Sequence, residues 1–287
     1  MSDTTLTRRL RYVALWAGVA AVAVACGNKT ARAPVPTAYE WPDAFAYRVR
    51  EVAETERDSV PVARDEQSRQ VRFTVGYDGA YAVAEDSVRL ADGVRGKAPS
   101  ARAPLPEDTL RYFVRLSRWG EFLSEEPACD PAVIECRDAR PSSLLMRLRR
   151  IIPKLPVWWP PRGHPWEDTL GIDDSPRPRG RRGALVTEYR AARDTVAGGR
   201  AYWIVTSRSV WRSADAESVA GATPGIAEET AVVYVDKQRL MPALALWRGT
   251  QPAPGAMSRG ATRTDISGRA VLVGSVFDSP PFTREAR

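Results

Sequence analysis

The sequence predicts a mainly β protein: a curved antiparallel sheet, shaped as a half-open barrel, with one or two helices packed on its concave side. Three observations carry that prediction. Short segments in which apolar and polar residues alternate recur from about residue 40 to 277, the period of half-buried strands. Clusters of Gly, Asp, Ser and Pro punctuate them at turn spacing. Clear helical periodicity is confined to "PSSLLMRLRRIIP" at 141–153, and many strands with one helix favour antiparallel β architecture.

The first element lies ahead of the sheet. Arg8, Arg9 and Arg11 precede an apolar run of thirteen residues, Val13 to Ala25, which ends in small residues before Cys26. A charged start, an apolar middle and small residues are the order of a secretory signal. Thirteen residues fall short of the roughly 20 that a membrane-crossing helix needs. Ala23-Val24-Ala25-Cys26 resembles the bacterial lipoprotein box. That resemblance implies that residues 1–25 are removed and that Cys26 receives a diacylglyceryl group and a further acyl chain. Several chains hold stably where one binds marginally. In the resembled lipoproteins, Gly rather than Asp after the cysteine, here Gly27, points to the outer membrane, with the folded domain in the periplasm. Residues 26–39 then read as a flexible tether, 40–277 as the β domain and 278–287 as a disordered tail.

Within the domain, "FAYRVREVAE" alternates Phe45, Tyr47 and Val49 against Ala46, Arg48 and Arg50, a half-buried strand. "VRFTVGYDGAYAVAE" reads as a hairpin on a two-residue Asp78-Gly79 turn, which would set Val71, Phe73, Val75 and Tyr77 opposite Ala80, Ala82 and Ala84. Residues 107–124 fit either a helix or a hairpin, and the alternation of Arg111 and Arg115 favours a hairpin turning at Arg118–Gly120. The helix starts at Ser142 or Ser143, buries Leu144, Leu145, Leu148, Ile151 and Ile152, and stops at Pro153. Its other face carries Arg147 and Arg150. The strands "GALVTEYRA", "RAYWIVTSRSVW", "EETAVVYV", "MPALALWRG" and "GRAVLVGSVF" follow.

Composition narrows the partners. The chain has 287 residues and a net charge of +7, with its cations spread along the sequence, and a secreted, tethered chain of this kind is not a nucleic-acid binder. Six residues separate Cys129 and Cys136 in "ACDPAVIEC", which predicts a local disulfide in an oxidising compartment. The single His164 is remote from them, so no metal site and no cofactor is expected.

The order of elements is similar to the lipoprotein-carrier superfamily of LolA, LolB and LppX type: paired strands, a helix leading into "KLPVWW…HPWEDTL", and a late "VYVDKQRLMPALALW". The resemblance implies a half-open barrel whose helices cover an apolar hollow for acyl chains. Candidate lining residues are Leu145, Leu148 and Ile152 on the helix, with Trp158, Trp159 and Trp166 after it. Three functions follow for the domain. The first is non-enzymatic binding of a lipid or other apolar molecule. The second is a structural or assembly role, in which a sheet edge binds an envelope protein. The third is a hydrolase using His164 as base beside Glu167 or Asp168. An apolar hollow of several hundred Å³ would favour the first, and a filled interior with an open edge strand would favour the second.

Overall fold

The computed structural model describes residues 38–58, 60–76, 79–94, 100–102, 111–127, 141–157, 164–173, 182–213, 228–252 and 262–278. The segment expected to be a signal, Cys26, Cys129, Cys136, Trp158, Trp159 and the residues from 279 lie outside these residues. The described residues all belong to the unit Thr37–Arg287.

Twelve strands form one antiparallel sheet. They are β1 (Ala44–Arg57), β2 (Val60–Val75), β3 (Tyr81–Val94), β4 (Ser100–Arg102), β5 (Arg111–Leu116), β6 (Phe122–Pro127), β7 (Pro165–Asp173), β8 (Arg182–Ala197), β9 (Arg200–Ser213), β10 (Glu228–Asp236), β11 (Met241–Pro252) and β12 (Thr262–Leu272). A single helix among the described residues, α1 (Pro141–Ile151), lies between β6 and β7 in the chain. Across the sheet the order is β6-β5-β3-β2-β1-β12-β11-β10-β9-β8-β7, with β4 paired to β3 off this path. Two meanders therefore meet at the β1–β12 pair, and the strands flanking α1 in sequence end at opposite edges.

Alternation sorts the side chains onto two faces. Tyr47, Phe73, Val83, Val114, Val205 and Val233 are buried on the face that receives the helix, together with Leu148, Ile151 and Ile152. The sheet is curved and open, and the ion pairs of α1 give a measure of the curl. Arg147 pairs with Glu85 on β3 and Arg149 with Asp168 on β7. Eight strand spacings of about 4.8 Å would separate those strands by about 38 Å in a flat sheet. Two side chains from one helical turn cannot bridge that gap, so the sheet wraps around α1.

Residues 38–41 and 153–155 close one end of the curl. The Tyr39 N–H donates to Arg118 O (2.6 Å) and Leu155 N–H to Trp119 O (2.7 Å). The Tyr39 hydroxyl donates to Pro153 O at 2.8 Å. Stacked rings of Trp41, Phe45 and Phe73 continue inward. Ala38 and Tyr39, counted with the tether from sequence, are thus buried parts of the domain. At the other limit Asp278 is structured: it holds Arg48 at 2.7 Å and accepts the Gly274 N–H at 3.0 Å.

Three local readings differ from the sequence or resolve it. Residues 111–127 form the β5–β6 hairpin, with Gly120 at φ 81° in its turn. The β2–β3 hairpin closes from Gly76 N–H to Ala80 O at 2.6 Å, over three intervening residues instead of two. That single residue shifts the pairing to Val71↔Glu85, Phe73↔Val83 and Val75↔Tyr81, so the alanines fall on the other face. "PWEDTL", read as a loop, is strand β7, paired along its length with β8.

Candidate functional site

The concave face carries charge where the sequence suggested an apolar hollow. On β1 the buried positions Tyr47 and Val49 put Glu51 on the same face, and on β10 Val233 and Ala231 do the same for Glu229. Glu85 follows Val83 on β3, and Asp168 follows Trp166 on β7. Four strands thus each aim one carboxylate at the helix.

Helix α1 answers with three arginines on one turn. Arg150 donates from Nη1 to Glu51 Oε2 at 2.5 Å and from Nε to Glu229 Oε2 at 2.8 Å. Its guanidinium lies over the Trp247 ring, 5.8 Å from the centroid, and the Trp247 indole N–H donates to Glu51 Oε2 at 3.2 Å. Arg149 pairs with Asp168 Oδ2 at 2.7 Å, donates to Gly120 O at 3.0 Å and covers the Phe122 ring at 4.8 Å. Arg147 grips both oxygens of Glu85 at 3.2 and 3.1 Å, and buried Arg69 reaches the same carboxylate at 3.0 Å. Just past the helix, Lys154 Nζ bridges Glu121 (2.6 Å) and Asp168 Oδ1 (3.1 Å).

Each of these carboxylates is held by a cation. Burial works against the charge of Arg150, but Glu229 and Glu51 more than offset it and raise its pKa above the ordinary arginine value. Burial raises the Glu229 pKa, an effect that Arg150 opposes only in part. Breaking such a buried pair by removing one partner is costly, because the other charge stays behind. Chemically the cluster is a lock that holds helix to sheet. Its carboxylates are engaged as acceptors, which leaves them poorly placed to take protons from a substrate.

The expected site residues divide accordingly. Leu148 and Ile152 are fully buried and Leu145 nearly so. Trp166 is half-buried, stacked on Tyr189 with centroids 5.6 Å apart, and its indole N–H donates to Lys154 O at 2.8 Å. Beneath the helix, Met146, Arg149, Arg150, Ser207, Ser209 and Glu229 border a cavity of about 40 Å³, far below the several hundred of a ligand pocket. A wider open trough of about 580 Å³ lies on the opposite face and is lined by charged pairs such as Glu54–Arg64 and Asp265–Arg263. His164 and Glu167 are exposed, and Asp168 is occupied by Arg149 and Lys154. The arginines assigned to the helix's solvent side, Arg147 and Arg150, point at the sheet.

The inward carboxylates were absent from the sequence-based site, although the signal existed. A carboxylate that falls in step with buried apolar residues on a strand, as Glu51 does after Phe45, Tyr47 and Val49, must find a cation.

No family model matches the chain, and no curated protein matches it. Among solved structures, one described as "Lipid-protein interactions in lipovitellin" is similar at a TM-score of 0.48 and 10% identity, covering 82% of this chain and 25% of that one. This chain therefore spans about a quarter of the length of that neighbour, and a likeness at that level carries no argument about ligand or activity.

Proposed function

We propose that the chain is a non-enzymatic binding protein of the bacterial envelope, held at the outer membrane by acyl chains on Cys26, whose domain engages a protein partner through a sheet edge. The observation that carries the domain's role is the filled concave face. Helix α1 is seated by apolar packing and by ion pairs to β1, β3, β7 and β10, and the cavity that described residues border beneath it measures about 40 Å³. Carriage of an acyl chain would require this lock to open, with several buried charges uncovered. The edge strand β7 has β8 as its neighbour on one side and no second strand among the described residues. An open edge offers backbone N–H and C=O groups to an added strand.

Membrane attachment is tested by fractionation and acyl labelling of the parent and of Cys26→Ser. The expected result is loss of label and release from membranes; retained attachment would show that the apolar run itself is the anchor. For the domain, photo-crosslinkers at Glu167 and Thr169 should capture an envelope protein. Stoichiometric lipid in native mass spectra of protein extracted from its membrane would instead favour ligand carriage.

A further inference from the structure

The face opposite α1 carries a second concentration of charge that the interior lock does not use. Arg48 and Arg50 alternate with the inward Tyr47, Val49 and Glu51 and so emerge on the outer face of β1. The register continues the pattern: Arg50 stands directly opposite Arg269 on β12 and, through Ser68 on β2, in line with Arg89 on β3. Arg269 pairs with exposed Leu246 on β11, and Arg248 follows two residues later. Arg72 completes the patch on β2.

Three of these arginines have carboxylate partners, and in each pair the carboxylate is the more buried member. Asp278, Glu66 and Asp86 are 15, 28 and 35% exposed, against 61, 54 and 55% for Arg48, Arg50 and Arg72. Arg89, Arg248 and Arg269 are exposed and have no carboxylate partner among the described residues. Around Leu246 solvent therefore meets more guanidinium than carboxylate, and the acids of this face, Glu54, Glu228 and Asp265, gather in the trough that Arg248 borders. Like charges directly opposite on neighbouring strands repel, and that repulsion is relieved when an anionic surface neutralises both.

We infer that this outer face of β2, β1, β12 and β11 docks against anionic lipid headgroups of the membrane. The inference rests on the lipid-anchor reading above. Twelve chain steps from Cys26 to Ala38 span at most about 40 Å when extended, and the chain enters the sheet at β1, the strand that bears Arg48 and Arg50. Docking by this face leaves the β7 edge, five strands from β12, open to a partner. Arginines near a negatively charged bilayer each add attraction that decays within a Debye length, so the contact is salt-sensitive.

The test uses the full chain bearing Cys26→Ser, sedimented with vesicles of phosphatidylcholine alone or with phosphatidylglycerol added. Any binding by the apolar run at 13–25 appears on both, so the readout is the difference between them. The expected result is tighter binding to the phosphatidylglycerol vesicles that fades with salt. It should fall about tenfold or more in R89Q/R248Q/R269Q, with an unchanged melting temperature. Equal binding to both vesicles, insensitivity to salt, or parental binding by the triple variant overturns the inference. So does crosslinking from position 248 to an acidic protein while both vesicles are ignored. The anchor itself is judged separately, by release of Cys26→Ser from membranes in cells.

Discussion

Trp247 on β11 donates its indole N–H to Glu51 on β1 at 3.2 Å, across the strand that separates them. The crossing is possible because the residue between them on β12 is Gly268, paired with Glu51 on one side and Trp247 on the other. A Cβ at Gly268 would lie 2.4 Å from the indole ring. The missing side chain is what lets an aromatic ring lie flat over the strand, support Arg150 and complete the Glu51 site.

Gly268→Ala should therefore destabilise the domain by about 1–3 kcal/mol through overpacking, read as a lower urea midpoint with quenching of Trp247 altered. Gly171→Ala on β7 is the control, since a Cβ there meets nothing within 4 Å. Its effect should stay within about 0.5 kcal/mol. Equal effects at the two positions would refute the account of Gly268.

Removing Arg150 strands Glu51 and Glu229. Arg150→Met should cost about 3–5 kcal/mol. The triple change R150M/E51Q/E229Q should recover most of that loss, because the charges leave together. Urea unfolding of the single and triple variants checks it; a triple variant as unstable as the single would show that the loss is one of packing.

The raised pKa of Glu229 fixes the sign of a pH dependence. A carboxyl whose pKa is higher in the folded than in the unfolded chain binds more protons when folded, so its contribution to stability falls as pH rises through that interval. The stability of the parent relative to E229Q should therefore decline as pH rises above 4.5, the ordinary value from which burial raises this carboxyl. A parent that gains on E229Q over the same range would contradict the burial of this carboxylate.

Gly120→Ala combines two penalties: a left-handed φ of 81° and a Cβ 2.7 Å from Pro153 O. It should lower stability by more than about 1 kcal/mol and also loosen residues 38–41, whose Tyr39 ring lies 2.8 Å from that Cβ position. Hydrogen exchange at the Tyr39 amide is the direct readout, and unchanged protection would defeat the link.

Cys129 and Cys136 lie outside the described residues, and the disulfide expected between them is tested by non-reducing peptide mapping. The expected product joins the two cysteines. Two free thiols would remove the staple and the roughly 2–3 kcal/mol that closing so short a loop supplies.

How far these features were legible depends on whether they are local. Alternation in "FAYRVREVAE" and "EETAVVYV" located strands because period two is a local property. Arg111 and Arg115 marked the β5–β6 hairpin for the same reason. The β2–β3 register failed because one extra turn residue, invisible to composition, exchanges the faces. Arg147 and Arg150 were misassigned because a helix shows two faces but does not say what each one meets. Their partners lie on β3, β1 and β10, which no local pattern brings together. "PWEDTL" looked like a loop because its prolines and acids suit one, yet β8 supplies the pairing and Arg149 the counter-charge.

The meeting of β1 with β12 has a kinetic consequence. Every other pairing joins strands that are next, or next but one, in the chain, so both meanders can zip from local turns. The central seam joins residues as far apart as Tyr47 and Leu272, 225 positions along the sequence, and such closure is slow. Glu51 meets Trp247 only when that seam shuts. A chain emerging from its N-terminus must therefore carry a half-built sheet with an open edge on β1 until its last strand arrives. That interval is when an escorting chaperone matters most.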